Sequence, residues 1–288
     1  MKNIAFIGTG VMGGPMAINL LKAGYGVSVY TRTKSKAKEA VAAGAVWSED
    51  IASCVGAAEA VITMVGYPKD VEEVYFGKNG ILENAAKGAY LIDMTTTSPH
   101  LSRRIYDEAR KRGLHAIDAP VSGGDIGAKN AALSIMAGGD KADFEACMPI
   151  FKALGKAAVY QGCAGSGQHT KMANQIAIAG TIAAVCEAIT YARSAGLSPE
   201  NVLSSISGGA AGSFQMTNMG PKMISGDFEP GFYIKHFIKD MKIAVNESEE
   251  NGAKLYILKK VLSMYEELSK EGMNELGTQA LIKYYEKR

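Results

Sequence analysis

The chain predicts an α/β fold: a doubly wound, mainly parallel sheet, followed by an all-helical domain joined to it by a long helix. Three observations carry this. A strand-like run, Ile4-Ala5-Phe6-Ile7, leads directly into Gly8-Thr9-Gly10-Val11-Met12-Gly13 and then a helical pattern. Apolar runs of strand length alternate with helical periodicity up to about residue 162. Beyond Gly162 no segment requires a strand. Alternating strands and helices imply a parallel sheet covered on both faces.

The glycine loop sits between strand and helix, the setting of a diphosphate cradle in a Rossmann-type domain. There the first glycine allows a tight turn and the second lets backbone approach a pyrophosphate. The third brings helix and strand together, and the phosphates meet the helix N-terminus. A glycine-rich turn without ligand is the alternative. The second strand covers 27–31. An NAD site places an acid at the end of that strand, about 20 residues beyond the glycines. From Val27 to Ala37 there is none; the segment reads Thr31-Arg32-Thr33-Lys34-Ser35-Lys36. Arg32 can fork onto a 2′-phosphate, with Thr33 and Lys36 as further donors. The reading is NADP, with NAD possible; a solvated basic loop is the plainer alternative.

The remaining elements follow in order. Helical patterns at 15–23 and 35–43 flank the second strand, and a short strand or turn lies around Val46. A helix at 50–55 precedes the apolar run 60–65. Tyr67-Pro68 opens a helix to 75, and the next strand is 90–94. Ser98-Pro99 is an N-cap with proline at the first helical position, opening a helix to 111. Strands are expected at 115–118, 133–137 and 157–160, with a helix over 141–154. Gly165-Ser166-Gly167 opens a long helix to about 195. Ser198-Pro199 caps another, ending at Gly208-Gly209, and from Phe232 the pattern is helical with breaks at Gly252 and Gly272. The domains are therefore 1–163 and 164–288. Ligands of such a sheet lie beyond the carboxyl ends of its strands, so the second domain is expected to close over that crevice.

Composition excludes several classes. The net charge of +2 and the lack of a dense basic stripe argue against nucleic acid. Cys54, Cys147, Cys163 and Cys186 are scattered, as reduced thiols of a cytoplasmic protein would be, and no signal-peptide pattern opens the chain. His100, His115, His169 and His236 lack ligand spacing, so no metal site is expected. The uncharged run 172–186 is shorter than the roughly 20 residues a bilayer requires. A helix buried between domains or subunits is the expectation, and no membrane partner.

Three segments carry chemistry. In Asp118-Ala119-Pro120-Val121-Ser122-Gly123-Gly124, the Ser122 hydroxyl and unobstructed N–H groups at Gly123 and Gly124 form an anion-binding nest or an ordinary loop. Lys171 opens an apolar helix, with Asn174 and Gln175 one turn on. Burial lowers the pKa of a lysine and suits it to proton exchange; snorkelling to water is the alternative. Lys239-Asp240, taken alone, reads as solvated charge on an amphipathic helix.

Together, and in order, these segments resemble the β-hydroxyacid dehydrogenase family over essentially the full chain. That family includes 3-hydroxyisobutyrate dehydrogenases, tartronate semialdehyde reductases and glyoxylate/succinic semialdehyde reductases. The extended signature Phe6 to Leu20 is far more specific than its glycines. The resemblance implies an NAD(P)-dependent enzyme interconverting a short 3-hydroxy acid and its semialdehyde. It makes Lys171 the catalytic lysine and Asn174 its substrate-orienting neighbour, with Gln175 beside it. Ser122, Gly123 and Gly124 become ligands of a small carboxylate-bearing substrate. Gly8, Thr9, Gly10, Val11, Met12, Gly13, Met64, Val65, Thr96 and Lys239 become cofactor contacts. It also implies a homodimer or homotetramer. Two departures stand out. Gln175 occupies a position where many members carry Asn, and Asn130-Ala131 replaces an acid-glycine pair. Lys-x-Ala-Asn-Gln and Gly123-Gly124-Asp125-Ile126-Gly127-Ala128 look more like the tartronate semialdehyde reductases than the 3-hydroxyisobutyrate dehydrogenases, which stay the alternative together with the glyoxylate/succinic semialdehyde reductases. A 6-phosphogluconate dehydrogenase-like activity would need more cations and a much longer helical domain. Imine reductases usually lack the lysine, and a non-catalytic dinucleotide sensor would need neither Lys171 nor the serine-glycine loop.

Overall fold

A computed structural model describes residues 1–286, which divide into two compact units, Met1–Lys171 and the chain from Met172 onward. In the first unit the chain runs β1 (Asn3–Ile7), α1 (Gly13–Lys22), β2 (Gly26–Tyr30), a 3-10 turn (Lys34–Ala37), α2 (Lys38–Ala42), β3 (Val46–Trp47) and α3 (Ile51–Val55). It continues through β4 (Ala60–Thr63), α4 (Pro68–Phe76), α5 (Ile81–Asn84), β5 (Tyr90–Asp93), α6 (Pro99–Lys111) and β6 (His115–Asp118). Then come β7 (Val121–Ser122), α7 (Gly124–Lys129), β8 (Leu133–Gly139), α8 (Lys141–Leu154) and β9 (Gly155–Gly162).

The sheet order is β3-β2-β1-β4-β5-β6-β8-β7, with β9 paired to β8. From β3 to β6 every pairing is parallel; β8 runs antiparallel to β6 and β7 and parallel to β9. The order turns back between β1 and β4, where such sheets open a crevice at their carboxyl ends. Side chains of β1 alternate between two apolar layers. Ile4 and Phe6 join one with Met16, Leu20 and Phe151, while Ala5 and Ile7 join the other with Tyr75, Leu91 and Ile105. Period-two alternation with both faces covered explains why the run is uninterruptedly apolar.

The expectations hold for the long elements and for short β3 and α3, and miss several other short ones. The Asp118–Gly124 segment is not a continuous loop: Val121–Ser122 pairs with β8 and a short helix starts at Gly124. Six residues with two glycines carry no helical periodicity to detect. The single helix expected at 35–43 is a 3-10 turn followed by α2. The run 60–65 leaves the sheet after Thr63, and the five-residue Gln215–Met219 π-helical turn and α11 (Gly220–Ser225) were not anticipated.

Ala131 occupies a left-handed backbone conformation (φ 49°) in the turn from α7 to β8. A Cβ there costs about 1–2 kcal/mol against glycine, partly offset by the greater unfolded-state freedom glycine would regain. Ala131→Gly is therefore expected to stabilise the first unit by about 0.5–1 kcal/mol, read as a rise in thermal midpoint. A lowered midpoint would contradict this.

Helix α9 (Ser166–Ser194) begins in the first unit and continues into the second, followed by α10 (Pro199–Ile206), α11, α12 (Ile234–Glu250), α13 (Tyr256–Lys270) and α14 (Ile282–Glu286). The second core joins Ile182, Cys186 and Ile189 of α9 to Phe237 and Met241 of α12 and Val261 and Tyr265 of α13. At 29 residues α9 is long and apolar enough to cross a membrane by those criteria, so the length argument made on 172–186 does not stand for the whole helix. What marks it as a core helix is the packing of these side chains.

Candidate active site

The first unit builds the dinucleotide cradle from packing constraints. Gly8 has φ +100°, and a Cβ on it would stand 2.3 Å from the Met64 carbonyl oxygen. A Cβ on Gly13 would meet the Gly8 carbonyl oxygen at 1.9 Å. Both glycines are thus demanded by the protein's own contacts. Gly10 is different: nothing lies within 4 Å of where its Cβ would be. The space over it is open, as required where backbone must let a diphosphate approach. Gly10 and Val11 are exposed beside it, Met12 is half-buried, and buried Thr9 has a hydroxyl without a hydrogen-bond partner among the described residues. These residues fit a nicotinamide dinucleotide's diphosphate at the N-terminus of α1.

Arg32 follows β2 with a largely exposed side chain, and its Nη2 pairs with Asp70 Oδ1 at 3.1 Å. Asp70 is buried on α4, where its other oxygen accepts from the Tyr67 N–H at 3.0 Å. An acid absent from the end of β2 is thus delivered beside Arg32 by the neighbouring β4–α4 turn. Thr33 and Lys36 are exposed in the same loop, whereas Lys34 is engaged with Glu49 at 2.8 Å and lies over the Trp47 ring.

The ends of β4 and β5 are tied together by a buried polar network. Thr63 Oγ1 donates to Asp93 Oδ1 at 2.7 Å, the Thr95 N–H donates to the same oxygen, and the Val65 N–H donates to Thr95 Oγ1 at 3.0 Å. This fixes half-buried Met64 and Val65 beside the glycine loop, where the Met64 N–H bonds the Ile7 carbonyl. Thr96 lies half-buried just beyond β5.

The same strand ends hold the start of α9. Asp118 accepts from the Gly165 N–H at 2.7 Å and from the Gln168 N–H at 2.9 Å, one on each oxygen. The Gln168 side chain accepts from Thr97 N–H and donates to the Thr95 carbonyl. Gly167 packs so tightly that a Cβ would stand 2.4 Å from the Met136 carbonyl oxygen. Lys171, 7% exposed, is carried one turn beyond this clamp. Ser122 is half-buried at the end of β7, followed by Gly123 (φ +134°) and Gly124 (φ +63°) at the strand-to-helix turn.

Burial raises the Asp118 carboxyl to about 7, against the lowering effect of its two amide hydrogen bonds, with the Asp93 charge adding to the rise. A folded pKa above the unfolded value means that stability is fully present below about 4 and is lost as pH rises through about 7. Between pH 6 and 8 the expected loss is about 1 kcal/mol, or roughly 2–4 °C in midpoint. Asp118→Asn should flatten that slope; an unchanged slope would remove Asp118 as its source.

In the second unit, Lys239-Asp240 is not the solvated pair expected from the sequence. Asp240 is 1% exposed, and Lys239 Nζ lies 2.9 Å from its Oδ1 with little of the lysine side chain in solvent. Gln175, equally buried, donates Nε2–H to Asp240 Oδ2 at 2.6 Å and accepts from Asn174 Nδ2 at 2.7 Å. Phe237, Met241 and Ala244 occupy the buried face of α12 and carry these polar groups inward with them. Asn174 is half-buried and lies at i+3 from Lys171 on α9, on the same helical face. Gln168, Asp70 and the Asp240 link were not recognised from sequence as site-building residues.

The comparisons agree with this architecture. The description "NAD binding domain of 6-phosphogluconate dehydrogenase" matches residues 3–165, and "NAD-binding of NADP-dependent 3-hydroxyisobutyrate dehydrogenase" matches 165–285. The chain is 55% identical over 286 residues to an uncharacterized oxidoreductase of Bacillus subtilis (strain 168), covering 99% of both. It is 38% identical to the 2-hydroxy-3-oxopropionate reductase of Escherichia coli (strain K12), covering 98% of this chain and 97% of the relative. The solved Mycobacterium tuberculosis 3-hydroxyisobutyrate dehydrogenase with L-serine superposes with a TM-score of 0.90, at 29% identity and 98% coverage of each chain. With a dinucleotide cradle, a buried helix-borne lysine and full-length relatives of this kind, the chain belongs to the β-hydroxyacid dehydrogenase family of NAD(P)-dependent oxidoreductases.

Proposed function

We propose that the protein is an NADP-preferring reductase of a three-carbon 3-oxo acid, of the 2-hydroxy-3-oxopropionate (tartronate semialdehyde) type, interconverting it with the 3-hydroxy acid. The observation that carries this is Lys171: an ammonium buried on α9, one turn after a clamp of Asp118 and Gln168 and one turn before Asn174. A lysine so rigidly placed suits proton transfer rather than solvation.

When bound, the nicotinamide supplies or accepts a hydride at the substrate carbon. The chain's residues do the rest. As the aldehyde C=O gains hydride at carbon, the Lys171 ammonium gives a proton to the oxygen, producing a CH2–OH group and a neutral amine that solvent reprotonates. Its charge also stabilises the developing alkoxide. In oxidation the neutral amine takes the hydroxyl proton. The Ser122 hydroxyl and the N–H groups of Gly123 and Gly124 hold the substrate carboxylate, and Asn174 orients the remaining substituents. Lys239 contributes a cation towards the cofactor. The resemblance to a 2-hydroxy-3-oxopropionate reductase over nearly the whole chain supports the substrate class.

The NADP preference rests on Arg32, whose Nη2 pairs with Asp70 and whose Nη1 lies 4.0 Å from exposed Glu73 Oε2, leaving further N–H groups of the fork for a phosphate. Asp70 also favours a second reading, NAD, with that carboxylate accepting from the ribose 2′-hydroxyl. A homodimer or homotetramer belongs to the same proposal, supported by α9 leaving Ala173, Ala177, Ala184 and Tyr191 exposed; light scattering giving a monomer would contradict it. The test of function is loss of NADPH absorbance with glyoxylate, 2-hydroxy-3-oxopropionate, succinic semialdehyde and 2-methyl-3-oxopropionate. Fastest turnover is expected with 2-hydroxy-3-oxopropionate. No turnover with any of them would favour a binding protein.

A further inference from the structure

Three side chains of the second unit form a directed hydrogen-bond chain that ends on Asp240. Its direction is set by chemistry. A carboxylate ion-paired with Lys239 only accepts, so Gln175 must turn its Nε2–H towards Asp240. That leaves Gln175 Oε1, which also only accepts, facing Asn174, and Asn174 must answer with Nδ2–H. What remains at the open end is the Asn174 carbonyl oxygen, with no hydrogen-bond partner among the described residues, and one further Nδ2–H. Gln175 and Asp240 are each 1% exposed, so water cannot rescue a flipped amide. Turning either amide around would bring oxygen against oxygen in a buried setting.

We infer that Asp240 is a positioning residue which, through Gln175, holds Asn174 with its carbonyl oxygen outward, and that the site thereby selects substrates bearing a hydrogen-bond donor on C2. The inference rests on the proposed role of Asn174 as a substrate contact. In a three-carbon 3-oxo acid the carboxylate and the aldehyde oxygen are acceptors only. The sole donor such a molecule can offer to an outward carbonyl is its C2 substituent. A hydroxyl or ammonium there satisfies Asn174 Oδ1; a methyl of similar size leaves it unpaired.

The matched pair 2-hydroxy-3-oxopropionate and 2-methyl-3-oxopropionate tests this, since they differ only by hydroxyl for methyl. The wild type is expected to favour the hydroxyl substrate in kcat/KM by at least about tenfold. In Asp240→Asn the new amide can offer either an oxygen or an N–H to Gln175, so the polarity is released. That preference should fall at least about fivefold, chiefly through KM for the hydroxyl substrate. A purely structural role would lower both substrates together and leave their ratio intact, which would overturn the inference, as would a wild type that prefers the methyl substrate. If neither substrate turns over, the functional reading fails, but the chain is still tested by side-chain amide NMR of glutamine-labelled protein. The Gln175 signals, identified by their loss in Gln175→Leu, should exchange slowly in the wild type and shift in Asp240→Asn. Rapid exchange in the wild type, or no shift, contradicts the chain.

Discussion

Lys171→Ala is expected to lower kcat by about a hundred- to ten-thousandfold, the range over which a positioned general acid–base contributes, while NADPH affinity changes less than about twofold. The first effect follows from removing the only proposed proton donor, a side chain 7% exposed on a helix pinned by Asp118 and Gln168. The second follows because the cradle around Gly8, Gly10 and Gly13 is set by β1, α1 and β4. Steady-state rates and a fluorescence titration of NADPH measure the two separately. Lys171→Arg adds a finer cut: it keeps the charge, but guanidinium does not release a proton near neutral pH. It should therefore recover little turnover if proton transfer dominates. Retention of more than a tenth of wild-type kcat in Lys171→Ala would remove the lysine from the chemistry.

Arg32→Ala should raise KM for NADPH by about ten- to a hundredfold, the loss of charge-assisted hydrogen bonds to a phosphate, and alter KM for NADH by less than about threefold. The structure makes this more than a test of one cation. Arg32 is braced by Asp70, which also caps α4 through Tyr67, so a 2′-phosphate binding this guanidinium would have to compete with a carboxylate. Asp70→Asn removes that competition and should strengthen NADPH binding, provided the amide oxygen still caps the Tyr67 N–H. Equal losses for both dinucleotides in Arg32→Ala would assign ribose recognition to Asp70 and the cofactor to NAD.

The long elements were legible because burial on both faces, or on one helical stripe, leaves a period in the sequence. β1, β4, α6 and α8 are of that kind, and so is the glycine loop, whose first and third glycines are forced by backbone contacts. What was not legible depends on partners distant in sequence. Nothing around Asp70 signals that it meets Arg32, 38 positions earlier. Asp118 stood in a recognised motif, yet its role as cap of α9 depends on Gly165 and Gln168. Lys239-Asp240 looked solvated because local hydropathy cannot register Gln175 on another helix. The turn at α7 escaped because glycines and a left-handed Ala131 erase periodicity.

The central claim is that hydride reaches the aldehyde carbon of a three-carbon 3-oxo acid while Lys171 supplies the proton. Its most direct test is the reduction of 2-hydroxy-3-oxopropionate by NADPH deuterated at the transferable C4 position, with the product analysed by NMR. Deuterium on C3 of 2,3-dihydroxypropionate, formed by the wild type and formed about a hundred- to ten-thousandfold more slowly by Lys171→Ala, is the predicted result. Product without deuterium, or labelled product formed at an undiminished rate by the Lys171 variant, would contradict the account.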